Sequence, residues 1–307
     1  GLRGARYGTT KDWVLGLEVV LPDGTVTWFG ERTLKRSAGY DLASLMVGSE
    51  GTLGVITKAI LKIAPAERPE ALLLAFYDTY DMISEAISGL NERGVIPIMA
   101  EFLDRPSMEA LVPQGLKYPE RAESLLIIMT TERTEDVAEA LKSTSPIEMR
   151  TFREAREIED VLRMRRGLYS SLLSQRERPD ETIIIGDVVV PPSRISKALR
   201  EIQDVSQESG LKVAMFGHIG DGNIHLNVFA SPDKMRAAED LLRRTAEIAV
   251  SNDGCVSAEH GIGLEKRELL LVECSMRNTC VNVELMKSIK RAFDPRNILN
   301  RGKLFVD

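Results

Sequence analysis

HIGDGNIH, residues 218–225, sets two of the three histidines of the chain at the two ends of a glycine-rich turn. Asp221-Gly222 is a dipeptide suited to a two-residue hairpin turn, whose central positions need positive φ. Such a turn puts His218 and His225 opposite each other on one face of a β-ribbon, with Cβ atoms roughly 4.5–5.5 Å apart. From there two ring nitrogens reach one divalent ion, and Glu259 offers a carboxylate oxygen as a third ligand, next to the remaining histidine, His260. Three protein ligands leave a position open for a substrate. Taken singly, either histidine reads as a satisfied core or surface residue; the pair across the turn is what points to chemistry. Asn227 lies two residues past His225, hence on the same face, placed to hydrogen-bond a substrate or to fix a ligand.

Outward from this turn the chain alternates strands and helices. Strands are expected at 212–218 and 224–229, and another at 182–190, halted by Pro191-Pro192 with a helix over 193–209 behind it. A helix over 234–251 leads to SAEHGIG, where Gly261 and Gly263 suggest a turn lining a site. Upstream, strands at 71–77, 97–103 and 124–130 are interleaved with helices at 82–93 and 132–143. This pattern predicts an α+β domain, with helices packed on a largely antiparallel sheet. A helix over 153–176 carries an apolar stripe of Ile158, Val161, Leu162, Leu168, Tyr169, Leu172 and Leu173, and Arg165 falls near its middle. A buried guanidinium keeps its proton, so Arg165 needs an anionic ligand or a structural acid there.

Residues 1–65 read as β-rich. Leu17, Val19 and Leu21 alternate before Pro22-Asp23-Gly24, and Val26 and Trp28 alternate after it, which makes a hairpin. A further strand is expected over 54–63, after Gly48, Gly51 and Gly54, a spacing that lets backbone approach a ligand but is by itself weak. The chain has no GxGxxG, so a nicotinamide-type dinucleotide fold is not supported. The Pro-rich break at 64–69 marks a domain boundary. The expected division is 1–66, then 67–270, then a C-terminal segment 271–307 with a helix over 283–293.

The 307 residues suggest about two domains. A net charge of −6, with 28% charged residues mixed along the chain, describes a globular protein without a footprint for nucleic acid. Cys255, Cys274 and Cys280 are too few for a disulfide framework or an iron–sulfur cluster, which fits a reducing cytoplasm. No apolar run reaches the roughly 18 residues of a membrane span. The first methionine is Met46, so the chain reads as one that continues upstream of Gly1.

Three stretches carry a family resemblance: GHIGDGNIHLN (217–227), SAEHGIG (257–263) and FDPRNILNRGKLF (293–305). They resemble the C-terminal half of the FAD-linked D-2-hydroxyacid dehydrogenases, the D-lactate, glycolate and D-2-hydroxyglutarate dehydrogenases of the vanillyl-alcohol oxidase fold. GYDLASLMVGSEGTLGVITKAILKIAP (39–65) is similar to the end of that family's FAD domain. The resemblance implies the second part of a vanillyl-alcohol-oxidase-type FAD-binding domain, followed by an α+β substrate or cap domain; the loop that grips the FAD pyrophosphate would precede Gly1.

It also implies FAD contacts at Ser49, Gly51, Thr52, Gly54, Val55, Ile56 and Asn300, although Arg301 stands where the family usually has proline after that asparagine. RMRRGL is similar to the segment that clasps the substrate carboxylate, which assigns that role to Arg165. Some relatives carry a lysine two residues before the aspartate matching Asp187, as a second carboxylate contact. Ile185 stands there in this chain, which argues for a small monocarboxylate such as D-lactate or glycolate. Zinc is the implied metal for His218, His225 and Glu259, though manganese or iron also suits two nitrogens and an oxygen. His260 is the implied base and a substrate contact. The partners implied are an electron-transfer flavoprotein, a quinone or an iron–sulfur subunit as electron acceptor, in a protein that is cytoplasmic or peripheral at a membrane and open to forming a homodimer. A metal-dependent hydrolase or metal-binding domain is the rival reading and leaves GSEGTLG and NRGKL unexplained; an inactive scaffold subunit of an oxidase complex is a third, against which the intact set of three histidines and Glu259 speaks.

Overall fold

Val14–Val20 (β1), Val26–Gly30 (β2) and Val55–Leu61 (β3) form an antiparallel sheet in the order β2-β1-β3. The turn at Pro22-Asp23-Gly24 closes β1 onto β2 as the alternation predicts, with the Leu21 amide donating to Thr25 O and Val20 opposite Val26. Leu17, Val19 and Phe29 pack against Ala43 and Met46 of a short helix, Leu42–Met46, and against Ile289 and Phe293 of the helix Val281–Phe293. These elements belong to one compact unit of the computed structural model, made of residues 7–66 and the chain from His260 on; the structure describes residues 1–305. The cysteines depart from the expectation of reduced thiols: Cys274, in the helix Arg267–Met276, is joined by a disulfide to Cys280 at the start of the next helix.

The other unit comprises residues 1–6 and 67–259. Its strands are Ala71–Tyr77 (β4), Met99–Asp104 (β5), Ser124–Thr130 (β6), Glu148–Phe152 (β7), Thr182–Val189 (β8), Val213–Gly217 (β9) and Asn223–Ala230 (β10). They form a seven-stranded sheet in the order β7-β4-β6-β5-β9-β10-β8, and every pairing is antiparallel. Four helices, Met82–Glu92, Thr134–Lys142, Ile195–Ser209 and Met235–Ser251, supply Ile83, Leu141, Leu199 and Leu241 to the main core. That core takes alternate strand residues: Leu73 and Ala75, Ala100 and Phe102, Leu226 and Val228. Because side chains alternate across a strand, Glu101, His225 and Asn227 turn to the opposite face. Among the described residues, no helix is long and apolar enough to cross a membrane.

Two expectations change. The helix expected over 153–176 is two, Ala155–Arg166 and Leu168–Leu173, divided at Gly167. Ile158, Val161, Arg165, Leu168 and Leu172 are buried as the stripe requires, whereas Tyr169, beyond the break, is exposed. The histidine hairpin is also wider than a two-residue turn. His225 pairs with Phe216, not with His218, which lies just past the end of β9. Asp221 keeps a negative φ, so it cannot enter the turn type the dipeptide suggests; Gly222 alone has φ +86°, and a Cβ there would lie 1.8 Å from Val190 O. The register differs from the expected one by two residues, so the parity holds and both histidines still face the same side.

Asp104 secures β9, the strand that leads into this turn. Its Oδ1 accepts from the Ser107 amide at 2.9 Å and caps the helix Arg105–Leu111, and its Oδ2 accepts from the Met215 amide at 2.6 Å. Asp104→Ala leaves two buried N–H groups without an acceptor and is expected to lower stability by about 3 kcal/mol. Urea unfolding checks this, and a loss below about 1 kcal/mol would mean that water replaces the carboxylate.

Candidate functional site

The strand register assembles a row of side chains on the face turned from the four-helix core. Leu103 of β5 pairs with Phe216 of β9, Phe216 with His225 of β10, and His225 with Asp187 of β8. One step along, Phe102 pairs with Gly217, and the next position on each strand carries Glu101 and His218. The imidazoles of His218 and His225 stand edge to face with ring centroids 5.1 Å apart, and Phe216 packs 5.5 Å from the His225 ring.

Both imidazoles present the same atom to a shared partner. His218 Nε2 and His225 Nε2 each lie 3.4 Å from Glu259 Oε1. Ligand atoms of His218, His225 and Glu259 all fall within 4.8 Å of one another, and both histidines are buried while Glu259 opens outward. Two imidazole nitrogens and a carboxylate oxygen at this spacing are a donor set that a divalent transition metal accepts, with room for further ligands on the exposed side. The residues present therefore fit the metal that the resemblance implies.

Behind each histidine stands a buried carboxylate. Glu101 Oε1 is 2.7 Å from His218 Nδ1, and Asp187 Oδ1 is 3.5 Å from His225 Nδ1. Asp187 Oδ2 accepts the backbone amides of Ala258 and Glu259 at 3.1 and 3.0 Å, so it also fixes the chain that carries the third ligand. Asn223 Nδ2 donates to Asp187 Oδ1 at 2.8 Å. Burial pushes the His218 imidazolium toward losing its proton, but the hydrogen bond and charge of Glu101, with the charge of Glu259, outweigh it and leave the pKa above the ordinary value.

Arg165 reaches the same cluster from the helix Ala155–Arg166. Its Nε and Nη2 donate to Glu101 Oε2 at 2.9 and 2.5 Å, and its Cζ stacks 4.7 Å over the Phe216 ring. The structural acid that the sequence left open is therefore Glu101. Nη1 makes no hydrogen bond among the described residues, so one edge of the guanidinium remains for an anion. Asn227 is fully buried on the same face; its Nδ2 donates to Ala214 O at 3.3 Å, and its Oδ1 has no hydrogen-bond partner among the described residues. Glu101, Asp187 and Asn223 are additions to the sequence reading. The signal for Glu101 and Asp187 was an acid inside a largely apolar strand, MAEFLD and TIIIGDVV, a pattern that demands a buried partner without naming it.

The remaining expected site residues lie in the other unit. His260 follows Glu259 in the chain and is exposed. Glu50 receives the amides of Ile262 and Gly263, both at 2.7 Å, which ties the glycine turn after His260 to the loop 48–54. Asn300 Nδ2 donates to Glu50 O, so this side chain is spent on the same loop. Ser49 and Thr52 are buried and line a cavity of about 450 Å³ with Lys11, Asp41 and Lys290. Gly51 abuts Asn300, Gly54 packs on Val19 and Met46 where a Cβ would clash, and Val55 and Ile56 are exposed on β3. On this loop Ser49 and Thr52 line the cavity, while Gly51, Gly54 and Asn300 shape the loop.

The family described as FAD linked oxidases, C-terminal domain, matches residues 66–304. The chain is 36% identical to the glycolate oxidase subunit GlcD of Bacillus subtilis over 317 aligned residues, covering 100% of this chain and 66% of that protein. It is 32% identical to a D-lactate dehydrogenase of Archaeoglobus fulgidus, over 99% of this chain and 67% of the relative, and 30% identical to a D-2-hydroxyglutarate dehydrogenase of Xanthomonas citri, over 99% and 66%. It thus spans about two thirds of the length of these curated relatives. Among solved structures, a 4-ethylphenol oxidase from Gulosibacter chungangensis superposes with a TM-score of 0.71 at 17% identity, over 98% of this chain and 67% of that one. A p-cresol methylhydroxylase with substrate bound gives 0.68 at 15% identity, over 96% and 65%. The fold is that of the vanillyl-alcohol-oxidase-type FAD oxidases, with mixed helices and strands and an antiparallel sheet.

Proposed function

This chain belongs to the FAD-linked oxidases, and from that premise we propose that it oxidises a small D-2-hydroxy acid, D-lactate or glycolate, to the 2-oxo acid. The observation that carries the reading is the convergence of His218 Nε2 and His225 Nε2 on Glu259 Oε1, beside an arginine with one open edge. His218, His225 and Glu259 would hold the divalent ion, most simply zinc, and Ser49 and Thr52 would line the FAD site. When bound, FAD supplies a two-electron hydride acceptor for C2 of the substrate and the ion supplies a Lewis acid for its hydroxyl oxygen.

The chain's own residues do the rest. Arg165 takes the substrate carboxylate on its Nη1 edge, and the stack on Phe216 keeps the guanidinium plane from turning. Asn227 Oδ1, without a hydrogen-bond partner among the described residues, lies on the same face of the sheet as the two histidines and would help orient the bound acid. His260 takes the hydroxyl proton on its imidazole. Ile185, opposite Asn227 in the sheet, offers no cation to a second carboxylate, which favours a monocarboxylate. Electrons leave through a flavoprotein, quinone or iron–sulfur partner, as befits a relative named as a subunit.

Elemental analysis together with the visible spectrum tests this. About one transition metal per chain, and flavin that D-lactate or glycolate bleaches anaerobically while D-2-hydroxyglutarate does so at least about tenfold less well, is the expected result. A protein that takes up no metal without chelators present would remove the ligand assignment and the mechanism with it.

A further inference from the structure

The carboxylates behind the two histidines are differently employed. Asp187 accepts from Asn223 Nδ2 and the amides of Ala258 and Glu259, and its Oδ1 lies 3.5 Å from His225 Nδ1. Glu101, 0% exposed, is shared between an imidazole and a guanidinium, with Oε1 on His218 Nδ1 and Oε2 on both Nε and Nη2 of Arg165. One side chain therefore touches both the residue read as a metal ligand and the residue read as the substrate's carboxylate clamp.

We propose that Glu101 is a positioning residue that sets the metal-binding nitrogen of His218 and the anion-binding edge of Arg165 together. The proposal rests on the metal and substrate reading given above. On the histidine side, an acceptor at Nδ1 holds the N–H there and leaves the Nε2 lone pair directed at Glu259 Oε1. On the arginine side, Oε2 occupies the Nε and Nη2 positions, so an incoming carboxylate finds only Nη1, at an angle fixed by the stack on Phe216. Strand pairing makes the coupling stiff. Glu101 sits on β5 and His218 directly follows β9, and these strands are joined at Phe102–Gly217 and Leu103–Phe216. Neither contact can be adjusted without moving the other, because the carboxylate has no third oxygen.

The competing account is a buried ion pair that merely pins the helix Ala155–Arg166 to the sheet. Glu101→Gln separates the two. Glutamine keeps the volume but offers one oxygen and one NH₂, so either His218 Nδ1–H or the arginine fork meets a donor. The readouts on the purified protein are zinc affinity by competition with a chromogenic chelator, kcat and KM for D-lactate, and the melting temperature of metal-free protein. The expected result is zinc binding weakened by about 10- to 100-fold together with a KM raised about tenfold. Should glutamine prevent folding, Glu101→Asp keeps the charge but is one methylene too short to span both partners; it is expected to move zinc affinity and KM in the same direction by a smaller factor. A melting temperature that falls while zinc affinity and KM stay within about threefold of the parent in both variants overturns the proposal. A parent protein that binds no zinc overturns the functional reading first and the proposal with it, whereas a parent that binds zinc beside variants that bind it equally overturns the proposal alone.

Discussion

His225→Ala is expected to leave the protein with under about a tenth of the parent's metal and to cut D-lactate turnover by about 10³-fold. The imidazole is buried on the interior strand β10 between Phe216 and Asp187. Its Nε2, like that of His218, lies 3.4 Å from Glu259 Oε1. Removing it leaves one nitrogen and one oxygen, too few to retain an ion against buffer. The truncation also opens a cavity against the Phe216 ring and costs about 2–3 kcal/mol of stability, which a melting curve separates from the metal effect. Elemental analysis after gel filtration is the decisive measurement. Full metal occupancy in the folded variant would mean that the site is built from other residues.

The second large effect is expected at His260. His260→Asn keeps a polar side chain of similar size but removes the imidazole that would take the proton, and kcat should fall by about 10²- to 10⁴-fold. Metal content should stay at the parent level, because His218, His225 and Glu259 already supply the set that converges in one unit. KM should change by only about threefold, since the proposed carboxylate contact is Arg165 and not His260. Loss of metal instead would show that His260 is a ligand, and that the division between ligand and base is drawn in the wrong place.

Much of the fold was legible because burial on both faces leaves an unmistakable apolar run. Strands 71–77 and 124–130 have the bounds expected of them, and every residue of each is buried. β7, EMRTF, escaped because it is an edge strand of mixed polarity that pairs only with β4 and has no alternation to betray it. The break at Gly167 escaped because glycine within a helical period is tolerated as often as it interrupts, and only the exposure of Tyr169 separates the cases. The turn at 218–222 was read too tightly. Its dipeptide favours a two-residue loop locally, but Gly222 is pressed against Val190 O, which rewards a wider path.

At the site, residue type and spacing alone determined that two histidines and a glutamate suit a metal, that an arginine lies on a buried helical face, and that both histidines share one side of a ribbon. Those conclusions follow from periodicity, and they survive a change of register by two residues because side chains alternate with a period of two. Which carboxylate stands behind which histidine was decided only by the strand order β5-β9-β10-β8. That order brings Glu101 to His218 and Asp187 to His225 across 117 and 38 residues of chain. No local pattern encodes such pairings, because a lone acid in an apolar strand states only that a partner must exist, and the partner's identity is a property of the closed sheet.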